Sequence, residues 1–190
     1  MRATEECPLP PESLRDAHTK AYSSAVFRHL LEWQSRRAIR YQEAFSLLCV
    51  ALDRNGDEEE SRDDEIELAI VAENIRREMR QTDLIGRDGE MLSILLLYAG
   101  HNETAQVTER VRTRIENYAF PGRSTQERVR RTVSIGGSCF PMHAVDSSLL
   151  AEQALSSLQR VREKGGNNVL LSQDGSGSEE NPYDAEAVQL

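Results

Sequence analysis

Apolar and polar positions recur along this chain with two periods, and those periods predict its elements. Between Ser24 and Tyr41, Val26, Leu30 and Trp33 fall at helical spacing among basic residues, which predicts a helix. "FSLLCVAL" at 45–52 is a short, nearly continuous apolar run, the pattern of a buried strand. In "IELAIVAENIRREM", Leu68, Ala72, Ile75 and Met79 share one helical face, with acids in the first turn and arginines in the last, as the helix dipole favours. Two apolar runs at 83–98 flank "DG" and predict a hairpin closed by Asp88 and Gly89 in a type I′ turn, because both residues tolerate positive φ. Glu90 follows that turn directly; a carboxylate at a hairpin tip suits a metal site, the relic of one, or a solvated loop.

Further on, Asn102 is placed to cap a helix striped by Val107, Val111, Ile115 and Tyr118. "RTVSIGGSCF" is β-branched and alternating, Leu150, Ala154, Leu158 and Val161 stripe a last helix that ends at "KGGN", and "NVLLS" makes a final short strand. Crossover units around a central hairpin indicate an α/β (α+β) fold of ferredoxin-like type, with a mainly antiparallel central sheet of about five strands flanked by helices. Residues 1–14 are expected to be an irregular lead and residues 173–190 an acidic, disordered tail, leaving 15–172 as the folded domain.

Composition narrows the function classes. Apolar residues make up 38% and charged residues 29%, ordinary for a globular chain, and no apolar run approaches the length of a membrane span. With no hydrophobic leader segment, a cytoplasmic location is expected. A net charge of −9 argues against generic nucleic-acid binding, which needs a basic surface. Cys49 and Cys139 lie in apolar runs and read as buried thiols; with Cys7 they have no metal spacing. The acidic run "DRNGDEEESRDDEIE" reads as a solvated loop, and His18 and His143, each without a second ligand at useful spacing, read as structural.

Four motifs in order carry a family resemblance: "DAHTKAYSS", "RQTDLIGR", "TVSIG" and "GGNNV". Together they resemble the GGDEF domain of bacterial diguanylate cyclases over about residues 14–172, and "DGEML" (Asp88, Gly89, Glu90, Met91, Leu92) takes the place of the signature. With Glu90 as the third signature residue, Arg110 in "TERVR" falls on the Arg of the family's next helix without a gap; an ungapped upstream register makes Met91 the third residue instead.

The resemblance implies an activity and, residue by residue, its loss. The family's cyclases join two GTP molecules with divalent cations held by carboxylates. The principal ligand position is Ala51, which has no side-chain oxygen; Asp53 stands two residues on and, with Glu90, is a vestigial metal position unless a backbone shift turns it inward. Met91 replaces the fourth signature acid and Asp88 sets a negative charge where phosphate approaches. Glu65 stands for the guanine-contacting Asp and Arg162 for the phosphate-contacting Lys, while Lys20, Ser23 and Ser24 replace the entry motif's Gly, Asn and Arg. The expectation is therefore no catalytic residues, no bound metal and no cofactor, with Mg²⁺ needed only if some cyclase activity survives. The same resemblance implies a second site, in which Arg80, Asp83 and Arg110 hold cyclic di-GMP, the two guanidinium groups and the carboxylate matching the edge of guanine, with Arg87 adding positive charge. Read without the resemblance, Arg80 and Asp83 are a surface pair at a helix end and Arg110 an exposed helix residue. The expected role is a cyclic di-GMP receptor module; the alternatives are a non-binding scaffold for a protein partner or homodimer, and a residual cyclase. About 14 residues precede the entry motif, so no sensory domain is expected among them.

Overall fold

The computed structural model describes residues 14–53, 63–122 and 127–172. The expected tail and all of the expected lead but Leu14 lie outside these residues, as does most of the acidic run. The elements are β1 (Tyr22–Ser23), α1 (Ser24–Tyr41), β2 (Phe45–Leu52), α2 (Asp63–Glu78), β3 (Leu84–Asp88), β4 (Met91–Leu97), α3 (His101–Glu116), β5 (Phe120–Pro121), β6 (Arg128–Val129), β7 (Val133–Phe140), α4 (Ser147–Glu163) and β8 (Val169–Leu171). Six strands form the main sheet in the order β1-β3-β4-β2-β7-β8. Its centre is antiparallel, while β1 and β8 add parallel edges to β3 and β7. The expected α/β arrangement of a central sheet flanked by helices is what forms, with one strand more than the sequence suggests.

Period-two alternation divides the core into two layers. Leu48 and Val50 of β2 and Leu92, Ile94 and Leu96 of β4 pack with Leu68, Ala72 and Ile75 of α2 and Val111 and Ile115 of α3. Phe45, Leu47, Cys49 and Ala51 of the same strand pack with Phe27, Leu31 and Ala38 of α1 and Leu150, Ala154 and Leu158 of α4. A strand apolar on both faces is thus the sandwich filling between two helix pairs. The Glu67 carboxylate, buried on α2, accepts from Arg131 Nε at 3.0 and 3.1 Å and ties that helix to the approach to β7. Cys49 and Cys139 are buried free thiols, and burial pushes the Cys49 thiol up to about 12.

Three local expectations are corrected. The buried face of α1 is Phe27, Leu31, Gln34, Ser35 and Ala38, and Trp33 stands on the outer face at 58% exposure. Gln34 and Ser35 inside the stripe disguise its phase, so the apolar residues alone point to the wrong side. The cap of α3 is Gly100, whose N–H donates to Glu103 Oε2 at 3.1 Å, and Asn102 lies within the helix. The stripe of α3 stops at Ile115, since the helix ends at Glu116 before Tyr118.

Candidate functional site

The signature hairpin closes one residue later than its sequence suggests. Asp88 is still paired with Met91 in the β3–β4 ladder, so the two loop residues are Gly89 and Glu90. Gly89 takes φ 59° and Glu90 does not share the positive φ, which makes the turn of the II′ kind and corrects the type I′ expectation. Glu90 is therefore at the tip of the loop, exposed, because the ladder pairs the residues on either side of it.

Beside this turn a cleft of about 250 Å³ gathers Ala51, Glu65, Arg87, Glu90, Met91 and Arg162, so the positions named by the signature resemblance do converge. Two of its lining residues form an internal ion pair. Arg87 donates to both oxygens of Glu65, at 2.7 and 2.6 Å, and its Nε donates to the Gly89 carbonyl at 2.8 Å. A further oxygen, Asp16 Oδ1, lies 3.1 Å from Arg87 Nη1. The hydrogen bonds that Arg87 donates to Glu65 lower the Glu65 pKa and raise the Arg87 pKa. Burial alone raises the Asp16 pKa, but hydrogen bonds from Thr19 and Arg87 hold it down at about 2. A depressed carboxyl contributes stability above its unfolded value and loses it as pH falls through the folded value. Asp16→Asn is thus expected to flatten the loss of stability between about pH 4 and pH 2, read by urea titrations at several pH values. An acid limb identical to wild type would exclude Asp16 as its source.

Asp53 faces a different set of groups. Its carboxylate accepts from Thr132 Oγ1 at 2.8 Å, from the backbone N–H of Asn167 at 2.8 Å and from Ser134 Oγ. These bonds clasp the end of β2 to β7 and to the loop before β8, and they engage both of its oxygens. Among the described residues no group of three or more His, Cys, Asp or Glu is arranged to hold a metal ion. The buried His143 accepts from the Cys139 N–H at Nδ1, 3.0 Å, and packs edge-on against His101.

The three residues of the second expected site divide between two surfaces. Arg80 and Asp83 border one cleft of about 300 Å³. Asp83 Oδ2 accepts the Arg80 N–H at 2.9 Å and Oδ1 accepts the Leu97 N–H at 3.1 Å, so the carboxylate also closes the turn after α2 and pins β4. Arg110 lines a separate groove of about 950 Å³ between α2 and α3. It donates to Glu78 Oε2 at 3.1 Å and to the Glu78 carbonyl at 2.7 Å, two residues before Arg80. All three thus surround the C-terminal end of α2, but Arg110 is turned toward Glu78. Arg15 and Lys20 of the loop before β1, and Arg76 of the last turn of α2, border the Arg80 cleft as well.

Lys20 has φ 56°, the left-handed region, at the position where the entry motif has Gly. An L side chain there costs about 1–2 kcal/mol, partly offset in a glycine variant by greater unfolded-state freedom. Lys20→Gly is expected to stabilise the fold by about 0.5–1 kcal/mol, read as a higher urea midpoint, and an unchanged or lower midpoint would count against strain at this residue.

The family model for "Diguanylate cyclase, GGDEF domain" matches residues 13–168. No curated protein sequence matches the chain. The fold is similar to the GGDEF domain of YfiN (TpbB) from Pseudomonas aeruginosa, with a TM-score of 0.76 and 21% identity over 84% of this chain and 94% of that one. It is similar also to the GGDEF domain of DgcB from Caulobacter crescentus in complex with c-di-GMP, with a TM-score of 0.77 and 19% identity over 86% and 95%. The FimX GGDEF domain from Pseudomonas aeruginosa gives 0.74 and 17% over 84% and 99%. At these identities the solved structures establish the shared fold, and the match across most of the sequence establishes the family: the chain belongs to the GGDEF domain family of diguanylate cyclases.

Proposed function

We propose that this chain is a degenerate GGDEF domain that does not cyclise GTP and that serves cyclic di-GMP signalling as a receptor module, holding the dinucleotide with Arg80, Asp83 and Arg110. The observation that carries the first half is Ala51 in the signature cleft, beside a Glu65 already bound bidentately by Arg87. Divalent cations of the Mg²⁺ kind require several hard oxygen ligands in near-octahedral geometry. The residues present do not fit one: Ala51 has no side-chain oxygen to give, and both oxygens of Asp53 accept from Thr132, Ser134 and Asn167. Glu65, at the guanine-contacting position, would have to leave Arg87 to receive a base. The reading for the second half is supported by Arg80 and Asp83 sharing one cleft, with the Arg80 residue exposed. A guanidinium and a carboxylate so placed match the acceptor and donor edges of guanine. A structurally similar domain, that of DgcB, was solved in complex with c-di-GMP.

One observation favours a second reading, a scaffold that binds no nucleotide and acts through a protein partner or a second copy of itself. Both Asp83 oxygens accept backbone N–H groups and Arg110 is paired with Glu78, so two of the three residues already have partners. Calorimetry with cyclic di-GMP separates the readings. Micromolar binding that Arg80→Ala weakens at least about tenfold supports the receptor, since a charge-assisted hydrogen bond contributes on that order. Absence of heat with the wild-type protein excludes it. Incubation with GTP and Mg²⁺ or Mn²⁺, followed by chromatography, is expected to give no cyclic dinucleotide, and its appearance would overturn the inactive assignment.

A further inference from the structure

On a chain with net charge −9, the cleft between the entry loop and the end of α2 is a local reversal of sign. Arg15, Lys20, Arg76 and Arg80 border it, against the single carboxylate of Asp83. Two of these cations are held in place by the loop they help to build. Arg15 Nη1 donates to the Lys20 carbonyl at 2.9 Å while its guanidinium lies over the Tyr22 ring, 4.0 Å from the centroid. Arg76 Nη2 donates to the Thr19 carbonyl, and Glu73 approaches its Nη1 at 3.6 Å. Burial lowers the Arg76 pKa, and the charge on Arg15 acts in the same direction. Four cations drawn to one concavity repel one another, and the fold retains the arrangement although Lys20 must adopt φ 56° to complete it. An anion in the cleft relieves that repulsion and meets pre-positioned N–H donors, and the concavity focuses the field on it.

We propose that this cleft is a phosphate-binding site in which Arg15, Lys20 and Arg76 hold a phosphodiester or diphosphate group. Where the receptor function proposed above holds, the group is a phosphodiester of the dinucleotide whose guanine meets Arg80 and Asp83; this extension rests on that reading, while the anion site does not. A volume of about 300 Å³ admits one phosphate with part of a nucleoside, so the rest of a larger ligand stays outside. Lys20 separates binding from folding, because glycine at this position removes the charge and also the strained φ.

The test is calorimetry with cyclic di-GMP, inorganic pyrophosphate and guanosine on the wild-type protein, Lys20→Gly, Arg15→Gln and Arg80→Ala. Both phosphorylated probes are expected to bind and guanosine not to bind. Lys20→Gly and Arg15→Gln should each weaken both phosphorylated probes about tenfold, with affinity falling as salt is raised, although Lys20→Gly is the more stable protein. Pyrophosphate binding that these variants weaken, without binding of cyclic di-GMP, supports the anion site and removes the receptor reading. Cyclic di-GMP binding lost in Arg80→Ala but unchanged in Lys20→Gly and Arg15→Gln keeps the receptor and overturns the phosphate site. Failure of both phosphorylated probes to bind overturns both.

Discussion

Gly136→Ala is expected to destabilise the domain by about 3–5 kcal/mol, because a methyl group at this point of β7 has no room on the side where α4 crosses. An added Cβ stands 2.1 Å from the backbone nitrogen of Leu158 and 2.3 Å from the Ala154 carbonyl oxygen. Neither atom is the end of a flexible side chain, so relief requires moving the helix away from the strand. That movement opens the layer formed by Phe45, Leu47, Leu150 and Leu158 and weakens many contacts at once. The neighbouring Gly137 provides the control. A Cβ there meets the Cδ2 atoms of Leu171 and Leu48 at 2.5 and 2.6 Å, and these can rotate aside at smaller cost. Urea denaturation should place the Gly136→Ala midpoint roughly 2 M below wild type, with Gly137→Ala between them. Equal effects from the two substitutions would contradict the distinction between backbone and side-chain obstruction.

The second large effect is expected at Asp53. Asp53→Ala takes the acceptor from Thr132, Ser134 and Asn167 together, and Ser134 is fully buried, so its hydroxyl is left without that bond away from water. The expected cost is about 2–4 kcal/mol, with roughly half of it for Asp53→Asn, which keeps one acceptor oxygen. An acid that merely decorated a loop would cost under about 0.5 kcal/mol on removal, and a measurement in that range would show that the clasp contributes nothing. The result also bears on inheritance from the family. A large loss of stability in the absence of any divalent cation identifies Asp53 as a structural residue and not a ligand awaiting its metal.

Much of the fold was legible because long elements carry enough periods to be counted. The bounds of α1 and β2 coincide with the segments read from the sequence, and the stripe Leu150, Ala154, Leu158 and Val161 does line the buried face of α4. Two-residue strands carry no period, so β1, β5 and β6 left no trace in the hydrophobic pattern. The hairpin tip was misplaced by one residue because the dipeptide preference marks that a turn exists, while the ladder pairing Asp88 with Met91 decides which residues close it. The signature cleft was legible for the opposite reason: motif order brought Ala51, Glu65, Glu90, Met91 and Arg162 to one place, as the resemblance implies. Side-chain direction was not legible. Asp53, Asp83, Arg87 and Arg110 all turn toward partners that sequence spacing does not mark, and Arg15 and Lys20 join Arg80 only through tertiary packing.

The edges of the main sheet also constrain how this domain can assemble. Among the described residues β1 contributes two residues and β8 three, and β1 is already bridged by Arg15 to Tyr22 and by the Ser23 N–H to the Leu14 carbonyl, so each margin leaves few main-chain donors and acceptors. Natural sheets limit unwanted strand addition in this way. A partner or second copy that extended the sheet would gain few main-chain hydrogen bonds, whereas the outer helix faces, where Trp33, Ile39 and Leu155 are exposed, offer the broader contact area. Extension of the sheet by strand addition at either margin is thereby disfavoured.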